Sequence, residues 1–284
     1  WFIRLFTAYQ EFVLERTVTW DGTADDGEVV ADGEYFVKIW VVDAQNRTVE
    51  LSLDSFVIDT SAPDVEIVLQ EPAVFSPNGD GRNDDTGIWF RSNEKVTWNG
   101  GITNSSGDAI VQTSSDITTS LIMWRGADLE GNVVEDGVYS VNASFTDVAG
   151  NTYAIPTENI EVDLTFPVVT FGLDKDYFSP DDDGIKDTLT ASFTSSEPVR
   201  GLLSLTDSAG RDVGTLGGLG RASQLIDGAF AYTWGGISGS GLYVPDGKYT
   251  VSSIYEDRAG NRIALENEQF VIDTRPVRVT ASAP

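Results

Sequence analysis

Apolar and polar residues alternate with a period of two along this chain, and the alternation recurs in the same setting. Tyr35, Val37, Ile39 and Val41 form one apolar set, Tyr139, Val141, Ala143 and Phe145 a second, and Tyr249, Val251, Ser253 and Tyr255 a third. Each run follows an Asp-Gly pair and ends at an Asp/Gly/Asn cluster, which predicts an antiparallel strand with one buried face. A short strand follows each: FVID at Phe56–Asp59, IEVD at Ile160–Asp163 and FVID at Phe270–Asp273, with Pro63, Pro167 and Pro276 stopping the pairing soon after. Between the two strands, Gly150 and Gly260 occupy the position where a type I turn with a bulge requires a left-handed residue. Asn46, the non-glycine residue type that tolerates that conformation best, stands there in the first copy. These turns read as plain turn chemistry, and no stretch predicts a helix longer than a turn.

The repetition extends beyond the strands. Trp20, Asp32, Asp43 and Asp59 recur at unchanged spacing as Trp124, Asp136, Asp147 and Asp163, and again as Trp234, Asp246, Asp257 and Asp273. One module is therefore written out repeatedly. The boundaries fall at 1–62, 63–166 and 167–275, with 276–284 matching the first strand of a further module. Asp-Gly-x-Tyr before each long strand resembles the tyrosine corner of immunoglobulin-like sandwiches, and Val37, Val141 and Val251 stand where antibody domains carry cysteine. The expected fold class is all-β, in tandem immunoglobulin-like β-sandwich modules, with the recurrent tryptophans as core or edge anchors.

Composition narrows the chemistry. The 284 residues are 40% hydrophobic and 11% aromatic, enough for packed cores. Net charge is −27 and no module is basic, so nucleic acid and anionic lipid surfaces are repelled while divalent cations are favoured. Cysteine and histidine are absent, which removes disulfides, thiol chemistry, the commonest general base and the usual zinc ligand. No run approaches the length of a membrane span.

Two loops carry the candidate chemistry. FSPNGDGRND at Phe75–Asp84 returns as FSPDDDGIKD at Phe178–Asp187. Asn78, Asp80 and Asp84, and in the second copy Asp181, Asp183 and Asp187, place oxygen donors in a shortened version of the loop that Ca²⁺ selects. With the Arg82 and Ile185 carbonyls each loop supplies four ligands, whereas Ca²⁺ takes about 6 to 8, so water or another segment completes the shell. Asp163 and Asp273 are expected to approach the first and second loops. The same residues also spell ordinary turn chemistry, with Asx side chains bonding to local backbone.

The run from FSPNGDG through WDG, DGxY and DxAGN to VID and proline resembles the bacterial immunoglobulin-like module of flagellar hook-capping proteins. It is also similar to modules of large surface and gliding-motility-associated bacterial proteins. The resemblance implies tandem seven-stranded sandwiches in a secreted, cell-surface or periplasmic bacterial protein, with a structural or adhesive role and no catalysis. The first module departs from it: aligned on Trp20 it lacks its first two strands and its FSPNGDG loop, so Trp1, Ile3, Leu5, Phe12, Leu14, Val18 and Trp20 are expected to need a cover. Three function classes follow. One is a calcium-stiffened structural or adhesive array, whose partners are neighbouring modules and an external protein or glycan. Another is an accessory region attached to a secreted enzyme. The third is catalysis by a carboxylate pair, which needs two acids about 5 to 10 Å apart in a cleft, and nothing marks such a pair.

Overall fold

In the computed structural model, residues 19–43, 45–70, 72–219 and 225–280 are described. Among them every regular element is a strand. Of the positions expected to need a cover, Trp1, Ile3, Leu5, Phe12, Leu14 and Val18 lie outside the described residues.

In the first module β1 (Gly33–Val42) and β2 (Thr48–Ile58) form an antiparallel hairpin. Val37, Ile39 and Val41, which the alternation assigns to a buried face, are exposed, as are Val49, Leu51 and Leu53 on the facing strand. Among the described residues this hairpin has no second layer to bury them against.

The second module comprises β3 (Val65–Gln70), β4 (Val74–Phe75), β5 (Thr86–Thr103), β6 (Ala109–Trp124), β7 (Gly137–Asp147), β8 (Thr152–Ala154) and β9 (Glu158–Val162). The third comprises β10 (Val169–Leu173), β11 (Tyr177–Phe178), β12 (Leu189–Ser195), β13 (Arg200–Asp207), β14 (Asp212–Leu219), β15 (Ala229–Trp234), β16 (Gly247–Glu256), β17 (Arg262–Ala264) and β18 (Glu268–Ile272). In the third module a three-stranded sheet, β10-β12-β15, faces a larger one ordered β11-β18-β16-β13-β14. The core lies between them: Leu189, Ala191 and Phe193 from one layer meet Leu203, Leu205, Val251, Tyr255 and Phe270 from the other.

The second module has the same strand neighbours, but its two layers are one ladder. β5 is 18 residues long. Its first part pairs with β3 and its last part with β7, across a register break between Arg91 and Val96. The third module interrupts the ladder at the matching point because Pro198, which lacks an N–H, stands where the second has Lys95. In both modules a short strand near the start runs parallel to the last one, β4 beside β9 and β11 beside β18.

Local chemistry fixes this arrangement. The phenols of Tyr35, Tyr139 and Tyr249 donate to the carbonyls of Ala31, Glu135 and Pro245 at 2.7, 2.8 and 2.6 Å, making the expected tyrosine corners. Trp124 and Trp234 are buried, and their indole N–H groups donate to the carbonyls of Ala127 and Ile237. Phe75 meets Trp124 with ring centroids 5.3 Å apart, as Phe178 meets Trp234 at 5.5 Å. The FSP proline closes over the same corner: a Cβ on Gly126 would lie 2.3 Å from Pro77, and one on Gly236 2.7 Å from Pro180. These modules are all-β immunoglobulin-like sandwiches joined in tandem.

Candidate metal centre

The two FSP loops fold alike. In the first, Asp84 accepts from the amides of Gly79 and Gly81 at 2.8 and 2.7 Å, Asn78 from Asp80 at 2.9 Å, and Asp80 from Arg82 at 2.9 Å. In the second, Asp187 accepts from Asp182 and Gly184 at 3.0 and 2.7 Å, and Asp183 from Ile185 at 2.7 Å. Asp181, Asp183 and Asp187 each bring a carboxylate oxygen within 4.8 Å of the other two. The spacing thus gathers the acids expected of a cation loop. The same oxygens already serve as caps for loop amides, so turn chemistry accounts for the backbone path without an ion.

The first loop does more than fold on itself. It presses on the β16–β17 turn of the third module, where Asn261 is wholly buried. The Asn261 amide group donates to the carbonyls of Asp163 and Thr165 at 2.9 and 3.2 Å, and its oxygen accepts from Ser76 Oγ at 2.5 Å and Asn78 Nδ2 at 3.1 Å. Asn83 Nδ2 donates to the Ala259 carbonyl at 3.0 Å. Arg82 lies 3.9 Å from Glu256, whose carboxylate also pairs with Arg200 and Arg262. Desolvation works against that charge, but the two arginines hold Glu256 below its ordinary pKa. The preceding junction repeats the central contact: Asn151 Nδ2 donates to the Asp59 carbonyl at 3.0 Å. The AGN turn, read from sequence as turn chemistry alone, is therefore also a latch between modules.

Beside each latch three acids from two modules converge. Asp163 meets Glu197 and Asp257, and Asp59 meets Glu94 and Asp147, with one oxygen of each residue within 4.8 Å of the others in its group. Asp257 and Asp147 belong to the hairpin turns, where they accept the amides of Gly260 and Asn261, and of Ala149, Gly150 and Asn151. Desolvation opposes the charge on Asp147, but these amides and the Asn151 side chain hold its pKa low. Glu94 sits at the register break within β5 and Glu197 in the bend just after β12, their amides capped by Ser92 and Ser195. Desolvation above all, then the charges of Asp257 and Asp163, push Glu197 up; desolvation with Asp257 and Asp136 also pushes Asp163 up. Glu94 is raised in the same way, by desolvation and then by Asp59 and Asp147.

The expected approach of Asp163 and Asp273 to the loops holds for backbone: their amides donate to the carbonyls of Phe75 and Phe178 at 3.1 and 3.2 Å. Their carboxylates go elsewhere. Asp163 joins the junction acids, and Asp273 pairs with Arg275 at 2.8 Å. No local sequence pattern marks the junction acids, because each group draws on three distant segments. The available signal was the paired Ser-x-Glu of RSNEKV and TSSEPV. The exit from each module is also fixed, since Asp32, Asp136 and Asp246 accept hydrogen bonds from Thr60, Leu164 and Thr274 just beyond the last strand. Among the described residues no helix is long and apolar enough to cross a membrane.

No family model matches the sequence, and no curated protein matches it. Solved structures do. The fibronectin(III)-like modules of Clostridium thermocellum CbhA align at 16% identity and TM-score 0.38, over 77% of this chain and 100% of that one. A bacterial ice-binding adhesin, described for host cell surface retention, aligns at 16% identity and TM-score 0.37, over 76% of this chain and 67% of that one. Chicken CNTN1 FN1–FN3 domains align at 9% identity and TM-score 0.36, over 84% of this chain and 77% of that one.

Proposed function

We propose that this chain is a non-catalytic structural or adhesive array within a larger bacterial secreted or cell-surface protein, its modules held end to end and stiffened by calcium. The observation that carries the reading is the recurrence of one junction: a turn asparagine bonded to the carbonyl just beyond the last strand of the preceding module, beside three carboxylates drawn from both. Repeat architecture whose neighbours grip each other suits a spacer that presents a protein or glycan ligand site at a fixed distance. The sequence resemblance supports the secreted or surface location.

Calcium has two candidate seats. The loop seat uses Asn78, Asp80, Asp84 and the Arg82 carbonyl, and in the next module Asp181, Asp183, Asp187 and the Ile185 carbonyl. The junction seat uses Asp163, Glu197 and Asp257, or Asp59, Glu94 and Asp147. Three carboxylates this close repel one another unless protons or a hard cation offset the charge, and water completes a shell of about 6 to 8 oxygens. At the affinity usual for extracellular modules, roughly 10⁻⁴ to 10⁻³ M, about 1 to 2 mM Ca²⁺ adds about 0.4 to 1.8 kcal/mol per site. Thermal unfolding in EDTA and in millimolar Ca²⁺ tests this. Asp187→Asn removes the loop contribution and Glu197→Gln the junction contribution. A melting temperature indifferent to Ca²⁺ in the parent chain overturns the role of calcium and leaves the hydrogen-bonded junction standing.

A further inference from the structure

On the outer face of strands β3, β5 and β6 the second module displays large apolar side chains to solvent. Val68 is the ladder partner of Trp89, and Trp89 of Leu121, so the three stand in one row across the strands. The row beside it is Glu66, Arg91 and Thr119. Alternation sends Ile88 and Phe90 into the core and Trp89 outward, where it is 41% exposed, with Val68, Leu121 and Met123 also exposed. A depression of about 250 Å³ lies over the two rows. Val68, Trp89 and Phe90 line its apolar side, and Glu66, Arg91 and Thr119 its polar side.

The third module shows that the fold does not require these residues. Its matching rows are Gly172, Ser192 and Ala231, and Thr170, Thr194 and Ala229. A depression lies over them at the same place, larger at about 480 Å³ because the side chains are small. The inward neighbours are kept, Phe193 being buried where the second module has Phe90. The dish therefore belongs to the sheet, and the apolar lining to the second module. Threonine and serine are what a solvated strand face ordinarily carries. A tryptophan between a valine and a leucine on such a face marks a contact surface.

Size and charge select the occupant. The exposed surface of Val68, Trp89, Leu121 and Met123 amounts to about 400 Å², half of the roughly 800 Å² that each partner of a stable protein pair contributes. A second copy would also bring a further net charge of −27 and be repelled. The polar row is itself neutral, one carboxylate beside one guanidinium, which suits an uncharged ligand rich in both donors and acceptors. A pyranose ring meets these terms: its C–H face lies against an indole, its hydroxyls donate to a carboxylate and accept from the arginine fork, and it carries no charge for an acidic molecule to repel. We propose that the outer face of β3, β5 and β6 is a binding site for a neutral saccharide, with Trp89 as the stacking platform and Glu66 and Arg91 as the hydrogen-bonding pair. The site rests on the adhesive reading proposed above, to which it gives a ligand class and a location, and it uses neither the loops nor the junctions. A shallow site of this size holds a short saccharide weakly, in the submillimolar to millimolar range.

Titration calorimetry of the intact chain in EDTA, with neutral hexasaccharides of glucose, mannose, galactose and N-acetylglucosamine, reads binding apart from calcium, and the indole N–H resonance of Trp89 reads its place. At least one of the four is expected to bind and to shift that resonance. Trp89→Ser and Arg91→Thr install the residues that the third module carries at the equivalent positions, Ser192 and Thr194, so the sheet tolerates both. Trp89→Ser is expected to weaken binding about tenfold or more. Arg91→Thr is expected to weaken it about threefold or more. Tyr177→Ser, which removes an exposed aromatic ring of the third module, is expected to leave it unchanged. Three results overturn the proposal: no hexasaccharide binds, binding is undiminished in a Trp89→Ser chain whose melting transition is intact, or the parent chain self-associates in sedimentation and Trp89→Ser abolishes it, which assigns the face to a second copy. Undiminished binding leaves the adhesive reading standing with its ligand elsewhere, whereas no binding removes the glycan from that reading, so the two failures are told apart.

Discussion

At the scale of single residues, the clearest dependence falls on Asn261. Its amide group ties two carbonyls of the preceding module and its oxygen takes two donors from the FSP loop, while Asn261 itself is fully buried. Asn261→Ala strands these groups, at a cost of about 1 to 3 kcal/mol for each buried polar group left unsatisfied. The loss is expected in the coupling between modules, read as separate unfolding transitions in calorimetry where the parent chain unfolds the two together. A second residue-level prediction runs the other way. The hydroxyls of Ser253 and Tyr255 are buried in the third core without a hydrogen-bond partner, and burial pushes the Tyr255 phenol up to about 12 despite the nearby Ser253 hydroxyl. The second module carries Ala143 and Phe145 at these positions. Ser253→Ala with Tyr255→Phe is expected to stabilise the third module by about 1 kcal/mol or more, read as a higher melting temperature, since burying an unpaired hydroxyl is unfavourable. A fall in melting temperature would show that the two hydroxyls are satisfied.

At the scale of elements, the strands and corners were readable from the sequence because they depend on neighbours in the chain. Alternation sets the strand, Asp-Gly-x-Tyr sets the corner four residues back, and Gly150 and Gly260 take the positive φ that the hairpin requires, as Asn46 does with φ 59°. The FSP loop was half readable. Its fold follows from its Asx residues, but its docking on another module does not, because no local pattern records what lies across a junction. The acids at the junctions were unreadable for the same reason, each lying far along the chain from its partners. One local feature does have a sharp test. Gly126 has φ 64° and no room for a Cβ beneath Pro77. Gly126→Ala is expected to destabilise the second module by about 1 to 3 kcal/mol through left-handed strain and the displaced proline, measured by denaturant midpoint. Gly150→Ala, with a positive φ but open space around its Cβ, is expected to cost less.

At the scale of the whole molecule, the junctions make the array responsive to pH. Asp163 and Glu197 are raised above their ordinary values when the modules are docked. The docked state therefore holds protons that the undocked state releases, and stability declines as pH rises from about 4 through the raised values. Below that window both states are protonated and docking is at its strongest; above it the decline is complete and docking is at its weakest unless a cation replaces the protons. Scattering profiles in EDTA are expected to show the stiffest chain near pH 4 and a more pliant one at pH 7, with Glu197→Gln flattening the difference. A chain equally stiff at both values would show that the acids do not load the junction.

The short parallel pairs, β4 beside β9 and β11 beside β18, have a mechanical meaning. In each module one partner lies near the entry of the chain and the other at its exit. Tension applied along the array draws these strands past each other in opposite directions, so their hydrogen bonds are loaded together in shear and do not open one at a time like a zip. The latching asparagine sits against the carbonyl just beyond the exit strand, on the same line of force. The second and third modules thus each carry a clamp where the pull enters and leaves, and a hydrophobic core that is spared until that clamp slips.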